Sequence, residues 1–188
     1  MSTPNPSREI VPAHCGVSNL LQVWKTLRQG IPNRLDENVL DGYPESTRGL
    51  IIQAHEFLGL IDSHARPTGI LRELVTAPRH EKPRILRRIL FASYSEILDP
   101  QAGGITLATV TPERLQERFC ACYGIQGNTV RKSIGLLIAL ASLAEVPISP
   151  LLLHRRQRRT WALGRRRGPA LPRDGQTCRS RGRGAVRS

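Results

Sequence analysis

Hydrophobic residues recur at the spacing of amphipathic helices through much of the chain, and the first such segment covers residues 18–30. Its apolar side chains fall on one helical face: Leu20, Leu21, Trp24 and Leu27. Ser18 is a residue type that caps helix N-termini, and Gly30 is a type that follows helix C-termini. The pattern therefore predicts a helix from Ser18 to Gly30, preceded by a mobile segment at residues 1–17 with no periodicity.

A short helix, a tight turn and a longer helix are predicted next. The short helix covers Leu35–Leu40 and ends at Asp41-Gly42, and the longer helix is capped by Ser46. The apolar side chains of the longer helix are again spaced for one face: Leu50, Ile51, Ala54, Phe57 and Leu58. This order of elements is typical of a helix-turn-helix motif.

A small β-hairpin is predicted after the longer helix. Residues 60–62 read as a short strand, Ser63–Arg66 as a turn, and residues 67–70 as the return into another element. A hairpin in this position is the outline of a winged helix. The expected strands are only two or three residues long.

A stronger helical pattern runs from Pro83 to Leu98. Proline suits the first position of a helix because its missing N–H would have no intrahelical partner there. The apolar side chains of this segment form a stripe: Ile85, Leu86, Ile89, Leu90, Tyr94, Ile97 and Leu98.

The helix-turn-helix outline repeats after a loop at residues 99–104. A helix begins with Thr111 as N-cap and ends at Gly124, and a second helix is capped by Asn128 or Thr129 and runs to about Glu145. These patterns predict a mostly α fold over residues 18–150. It comprises a winged-helix-like unit at 18–98, with the small hairpin, and a second helix-turn-helix unit at 111–146.

The last predicted helix contains a long uncharged run, Ile134–Ala144. Such a run indicates either burial on several sides or an interface with a second copy of the chain. It is too short to span a bilayer, so the sequence predicts no membrane partner.

Charge separates the chain into two parts. The formal net charge is +13, and residues 151–188 hold twelve Arg and one acid, so they contribute +11 and the first 150 residues contribute +2. Residues 151–188 are predicted to be a disordered tail, because they offer little apolar surface to offset the entropy cost of ordering. Two origins of this tail remain open: an evolved segment that binds nucleic acid, or a GC-rich coding sequence read out of frame.

Three segments of the body together resemble a known family. They are Gly-Leu-Ile-Asp…Arg-Pro-Thr-Gly at residues 59–69, Ala-Ser-Tyr-Ser-Glu-Ile-Leu at 92–98, and Gly-Asn-Thr-Val-Arg-Lys-Ser at 127–133. Their order resembles an uncharacterised bacterial family of small winged-helix-like proteins, over about residues 17–150. The resemblance implies a helical body with a small wing, and it brings no catalytic residues.

Three polar clusters are candidate nucleic-acid contacts, and each also fits an ordinary solvated helix surface. Thr47 and Arg48 lie at the start of a predicted recognition helix, although the preceding Glu45 would repel phosphate. A basic row at helical spacings i, i+3 and i+4 consists of Arg84, Arg87 and Arg88. Arg79 and Lys82 precede this row and extend it to a wider basic cluster.

The third cluster, at the start of the last helix, contains Arg131 and Lys132 beside an amide and a hydroxyl. Cations in a first helical turn oppose the helix dipole, which makes a purely stabilising role less natural. These clusters favour a non-enzymatic DNA-binding or DNA-associated protein. The alternative is a protein–protein interaction module that uses Ile134–Ala144 as its apolar face.

Signatures of catalysis are not found in the sequence. Phosphate-loop, zinc-protease and nucleophile-elbow motifs are missing, and the five histidines have no ligand-spaced neighbours. The four cysteines lack the spacing of a zinc or redox site, which predicts a reduced, cytoplasmic setting. We therefore expect no enzymatic activity, no cofactor and no metal.

Overall fold

Amphipathic helices make up most of the residues that the computed structural model describes, which are 12–36, 38–99 and 104–153. In chain order they are α1 (Val17–Leu27), a 3-10 helix (Asn38–Leu40), α2 (Glu45–Phe57), α3 (Gly69–Thr76), α4 (Lys82–Ser93), α5 (Ser95–Leu98), α6 (Pro112–Tyr123) and α7 (Gly127–Leu143). Residues 150–153 form a further helical turn. The expectation of a mostly helical protein is confirmed.

Local signals at both ends of α6 explain where it starts and stops. The Thr111 hydroxyl accepts a hydrogen bond from the Arg114 N–H at 3.3 Å, which satisfies a donor that the first turn cannot pair internally. Proline occupies the first position, and Gly124 closes the helix in the left-handed conformation with φ 64°. The predicted boundaries of this helix are confirmed.

The centre of the fold is α7, which packs against α1, α4 and α6. Six consecutive residues from Leu136 to Ala141 are buried, so neighbours cover the helix on all sides. Within Ile134–Ala144 the exposed positions are Gly135 and Ser142. The uncharged run is therefore buried inside its own chain, and it does not form the exposed apolar face that the interaction-module hypothesis assigned to it.

An aromatic cluster joins the two halves of the body. Tyr94, between α4 and α5, lies 4.9 Å from Phe57 of α2 and 6.2 Å from Phe119 of α6, measured between ring centroids. Tyr123 contacts both phenylalanines in turn. The buried hydrophobic residues of both halves consequently form one cluster rather than two cores.

The prediction of a β-hairpin after α2 was wrong. The described ranges contain no strand, and a single isolated antiparallel bridge joins Ile61 to Pro67. The Asp62 carboxylate accepts the N–H groups of His64 and Arg66, each at 2.8 Å, and so forms a tight turn. Hydrogen bonds flank this bridge, from the Asp62 N–H to the Arg66 carbonyl and from the Thr68 N–H to the Leu60 carbonyl, each at 3.0 Å. Pairing goes no further because residues 63–65 form the turn and a helix begins at Gly69.

The chain enters α3 directly after this turn, a helix that the sequence did not predict. Thr68 is its N-cap and accepts the Leu71 N–H at 3.4 Å, while the same hydroxyl donates to the Leu60 carbonyl at 3.0 Å. Its buried face consists of Leu71, Leu74 and Val75. Residues 67–70 are therefore a helix entry, not a returning strand.

Other predicted boundaries also shift. The first helix starts at Val17 after Gly16 instead of using Ser18 as its cap, and α2 starts at Glu45 after Pro44 instead of at Ser46. Where Leu35–Leu40 was expected to be helical, the described residues form only the 3-10 turn Asn38–Leu40. The last helix begins at Gly127 and ends at Leu143, and neither Asn128 nor Thr129 caps it.

The predicted helix from Pro83 to Leu98 is divided into α4 and α5. Tyr94 leaves helical geometry, with φ −109° and ψ 29°, and its side chain is fully buried in the aromatic cluster. Core packing of this large ring accompanies the break.

Both ends of the predicted domain extend further than expected. In the segment expected to be mobile, Ala13 and Cys15 are buried, and the buried Ser133 hydroxyl of α7 donates to the Pro12 carbonyl at 3.5 Å. At the other end, Leu152 is buried although it falls in the predicted tail. The rest of the predicted mobile segment, residues 1–11, and the rest of the predicted disordered tail, residues 154–188, lie outside the described ranges. Among the residues that the structure describes, no helix is long and apolar enough to cross a bilayer.

Candidate functional site

The Arg48 side chain is engaged by its own turn. Its Nε donates to the Tyr43 carbonyl at 2.9 Å and its Nη2 to the Asp41 carbonyl at 3.2 Å, while Nη1 lies 3.3 Å from the Asp41 carboxylate. These contacts fasten the turn to the start of α2. Thr47 beside it is half-buried, so this cluster serves the turn before α2.

Arg131 and Lys132 are exposed near the start of α7. The other end of that helix meets α4, where Arg87 Nη2 donates to the Glu145 carbonyl at 3.0 Å. Fourteen residues at 1.5 Å each separate Arg131 from Glu145, or about 21 Å. The predicted basic row on α4 and the predicted pair on α7 therefore lie at opposite ends of α7.

The exposed side of α4 carries the basic row. Arg84, Arg87 and Arg88 stand with Phe91 at spacings i, i+3, i+4 and i+7, and Phe91 is 44% exposed. We call these four residues the α4 face. Arg88 forms an ion pair with Glu73 of α3. Since a guanidinium has five N–H donors, Arg87 and Arg88 keep donors beyond these contacts.

A groove of about 780 Å³ lies beside the α4 face. Its lining comes from α1, α3, the loop before α4, α4 itself and the end of α7. We call it the cationic groove. Its apolar lining residues are Leu21, Trp24, Leu74, Pro83, Leu86 and Leu143, and its polar ones are Lys25, Arg28, Arg79, His80, Lys82, Ser142 and Glu145.

The chain was compared with protein-family models, curated proteins and solved structures. Nothing matches. The resemblance to the winged-helix-like family therefore stays a prediction, and the hairpin that it implies is not formed by the described residues.

Positive charge is crowded in the cationic groove. Burial lowers the pKa of Lys82, and the positive charge of Arg28 lowers it further. Glu145 is the single carboxylate among the lining residues. The groove therefore holds like charges that its own acids do not neutralise.

The crowding is local, because the body as a whole is nearly neutral. Residues 72–88 contain six Arg and Lys and two Glu, a balance of +4, whereas the first 150 residues balance at +2. The positive charge of the body is thus concentrated around α3, α4 and the neighbouring end of α1.

Sequence reasoning missed two members of the groove, Lys25 and Arg28. The sequence shows their i, i+3 spacing near the end of α1, which is typical of a solvated helix face. It does not show that they lie near Arg79 and Lys82, because more than fifty residues separate the two pairs along the chain.

Metal-ligating residue types are dispersed over the described ranges. No group of three or more His, Cys, Asp or Glu side chains there is placed to hold a metal ion. His55, the one buried histidine of those ranges, is bonded to Trp24 and to the Ile51 carbonyl rather than facing a cleft.

Proposed function

We propose that the protein is a non-enzymatic DNA-associated protein that contacts the phosphate backbone through the α4 face. The observation that carries the proposal is the alignment of three guanidinium groups on one exposed helix side, within the most positive part of a nearly neutral body. Arg131 and Lys132 are not part of the proposed contact, because they lie at the other end of α7. Thr47 and Arg48 are not part of it either, because Arg48 is bonded within the turn before α2.

The spacing of the row suits a charged polymer. Arg84 and Arg88 are one helical turn apart, about 6 Å along α4. A DNA strand carries one phosphate for about every 3.4 Å of its axis, so the side chains can reach different phosphates. Contacts of this kind position a protein on DNA without reading its sequence.

The exposed ring of Phe91 extends the face by one turn. An apolar side chain beside cations can pack against sugars or unstacked bases, which a plain solvated helix face has no need for. The proposal keeps the resemblance to the winged-helix-like family only through its helices, since the described residues form no wing.

Binding of a mixed-sequence duplex by the full chain, measured by fluorescence anisotropy across a salt series, tests this proposal. The variant R84Q/R87Q/R88Q removes three positive charges and keeps polar side chains at the three exposed positions. If each arginine neutralises one phosphate, the slope of log K against log salt falls by about 3.

The matched control is R114Q/R131Q/K132Q, which removes three exposed charges from α6 and α7. It keeps residues 151–188, so binding through the Arg-rich segment is the same in both variants. The control is expected to keep the wild-type slope. Equal slopes for the wild type and both variants would show that α4 makes no contact, and equal losses in both variants would show a response to net charge alone.

A further inference from the structure

We propose that the cationic groove binds an acidic amphipathic helix of a partner protein, with the apolar side of that helix on the groove floor and its carboxylates at the cationic rim. The α4 face is not used, so this inference is independent of the DNA contact. It concerns a second surface and a different class of ligand.

The floor has the character of a helix-binding groove. Leu21 on α1 is 42% exposed, and it stands one turn before Lys25. Leu143 and Pro83 continue the apolar lining from α7 and α4, both half-buried. An amphipathic helix that lays its apolar side into such a groove buries these surfaces together with its own.

The rim determines the charge of the occupant. Lys25 and Arg28 line the α1 side, while Arg79 and Lys82 line the side formed by the α3–α4 loop and α4. Carboxylates placed between them would offset the repulsion between Arg28 and Lys82, which adds to the effect of burial in lowering the pKa of Lys82. Charge complementarity of this kind selects acidic partners and rejects basic ones.

The chain's own ends do not complement the groove. Residues 154–188 carry twelve Arg and one Asp, and residues 1–11 carry one Arg and one Glu. Neither segment supplies the net negative charge that the rim requires. An acidic segment of another molecule fits it better.

The floor favours protein over nucleic acid. Bases bind best to exposed aromatic faces, on which they stack. The one aromatic ring that lines the apolar floor is Trp24, which is 5% exposed and donates its N–H to His55. The remaining apolar lining is aliphatic, and this suits leucine, isoleucine or phenylalanine side chains of a helix.

A peptide selection on the full chain tests the proposal. A displayed library of peptides of about 16 residues, or roughly 24 Å of helix, is selected on the wild type and counter-selected on K25E/R28E/R79E. This variant keeps the Arg-rich residues 154–188, so peptides that bind them are removed. The three substituted side chains are exposed, and circular dichroism checks that the variant is folded.

Enriched peptides are expected to carry several Asp or Glu residues and apolar residues at i, i+3 or i+4, and i+7. A synthetic copy of one enriched peptide should lose about tenfold or more in affinity on K25E/R28E/R79E, since several charge pairs are lost at once. Leu21→Gln should also weaken binding, whereas R114Q/R131Q/K132Q should not. A peptide with Glu replaced by Lys should regain binding to K25E/R28E/R79E.

Several outcomes would overturn the proposal. One is the absence of peptides that prefer the wild type, and another is enrichment of peptides without acidic residues. A third is that a single-stranded oligonucleotide of about 15 nucleotides binds the wild type more tightly than K25E/R28E/R79E, while the peptides bind both equally well. A fourth is self-association of the wild type that K25E/R28E/R79E abolishes, which would make a second copy the occupant. Loss of the DNA contact of the α4 face would leave these results unchanged.

Discussion

The Trp24 indole N–H donates to Nε2 of His55 at 3.2 Å, and this hydrogen bond joins α1 to α2 in the interior of the fold. The other ring nitrogen, Nδ1, donates to the Ile51 carbonyl at 2.8 Å. Because Nε2 must accept, the ring is the neutral Nδ1–H tautomer. Protonation would place a second N–H against the indole N–H.

The first prediction concerns stability in acid. Burial lowers the pKa of His55 from 6.5 to about 4, and the hydrogen bond to Ile51 offsets this only in part. Below pH 6.5 the unfolded chain takes up a proton at this side chain while the folded chain does not. The free energy of unfolding should therefore fall between pH 6.5 and 4, by an amount on the order of 3 kcal/mol, and should not change through this group above pH 7.

Urea denaturation between pH 4 and 8 measures this effect. His55→Gln removes the titrating group and keeps a donor and an acceptor, so its curve should lose this part of the pH dependence. His64→Gln, at an exposed position, is the control and should follow the wild type. Parallel pH profiles for wild type and His55→Gln would contradict the prediction.

The second prediction concerns the indole itself. Trp24→Phe keeps an aromatic ring and removes the donor, which leaves buried His55 Nε2 without its partner. We expect a loss of about 1–3 kcal/mol, the cost of a buried unsatisfied acceptor, in addition to lost packing. Denaturation at pH 7 measures it, and a double-mutant cycle with His55→Leu should show strong coupling. Additive effects would mean that the hydrogen bond contributes little.

The third prediction concerns Tyr94, whose hydroxyl is buried and has no hydrogen-bond partner among the described residues. Burial raises the pKa of this group far above its usual value. Tyr94→Phe removes a desolvated hydroxyl and keeps the ring in the aromatic cluster. It should leave stability unchanged or raise it by about 1 kcal/mol.

Tyr43→Phe is the matched change, because the Tyr43 hydroxyl donates to the Asn19 carbonyl at 3.5 Å. It should be neutral to slightly destabilising in the same thermal and urea unfolding measurements. A clear loss of stability in Tyr94→Phe would instead reveal a partner for the buried hydroxyl.

The fourth prediction concerns the cap of α6. Thr111→Ala removes the hydroxyl that accepts the Arg114 N–H, and it should cost about 1 kcal/mol in urea unfolding at pH 7. Thr109→Ala, at an exposed loop position nearby, is the control and should change stability by less than about 0.5 kcal/mol. Equal effects would show that the cap does not stabilise the helix.

The fifth prediction connects Glu73 to the proposed DNA contact. The Glu73 carboxylate competes with phosphate for Arg88, and both side chains are about half exposed. Glu73→Gln should therefore tighten duplex binding about two- to fivefold at low salt, the range expected for releasing an exposed ion pair. Glu113→Gln removes the same charge from α6 and should tighten binding less. Equal gains would indicate a response to net charge.

Local sequence signals predicted those elements whose boundaries are determined within a few residues. The cap, proline and glycine around α6 are such a case, and so is the one-sided basic row of α4, since helical spacing alone places Arg84, Arg87 and Arg88 together. The hairpin prediction failed because strands of two or three residues have little pairing energy. In this segment the turn at Asp62 and the N-cap at Thr68 lead the chain into α3 instead of a second strand.

The sequence by itself determined the helical class, the separation of charge between body and C-terminal residues, and the exposed row on α4, because these depend on composition and on spacing along one helix. Only the tertiary structure decided the rest. Packing buried the run Ile134–Ala144 inside the chain and brought Lys25 and Arg28 to Arg79 and Lys82. The break in the helix at Tyr94 accompanies the packing of its ring into the core. These outcomes depend on contacts between residues far apart in the sequence, which the pattern within any one segment does not encode.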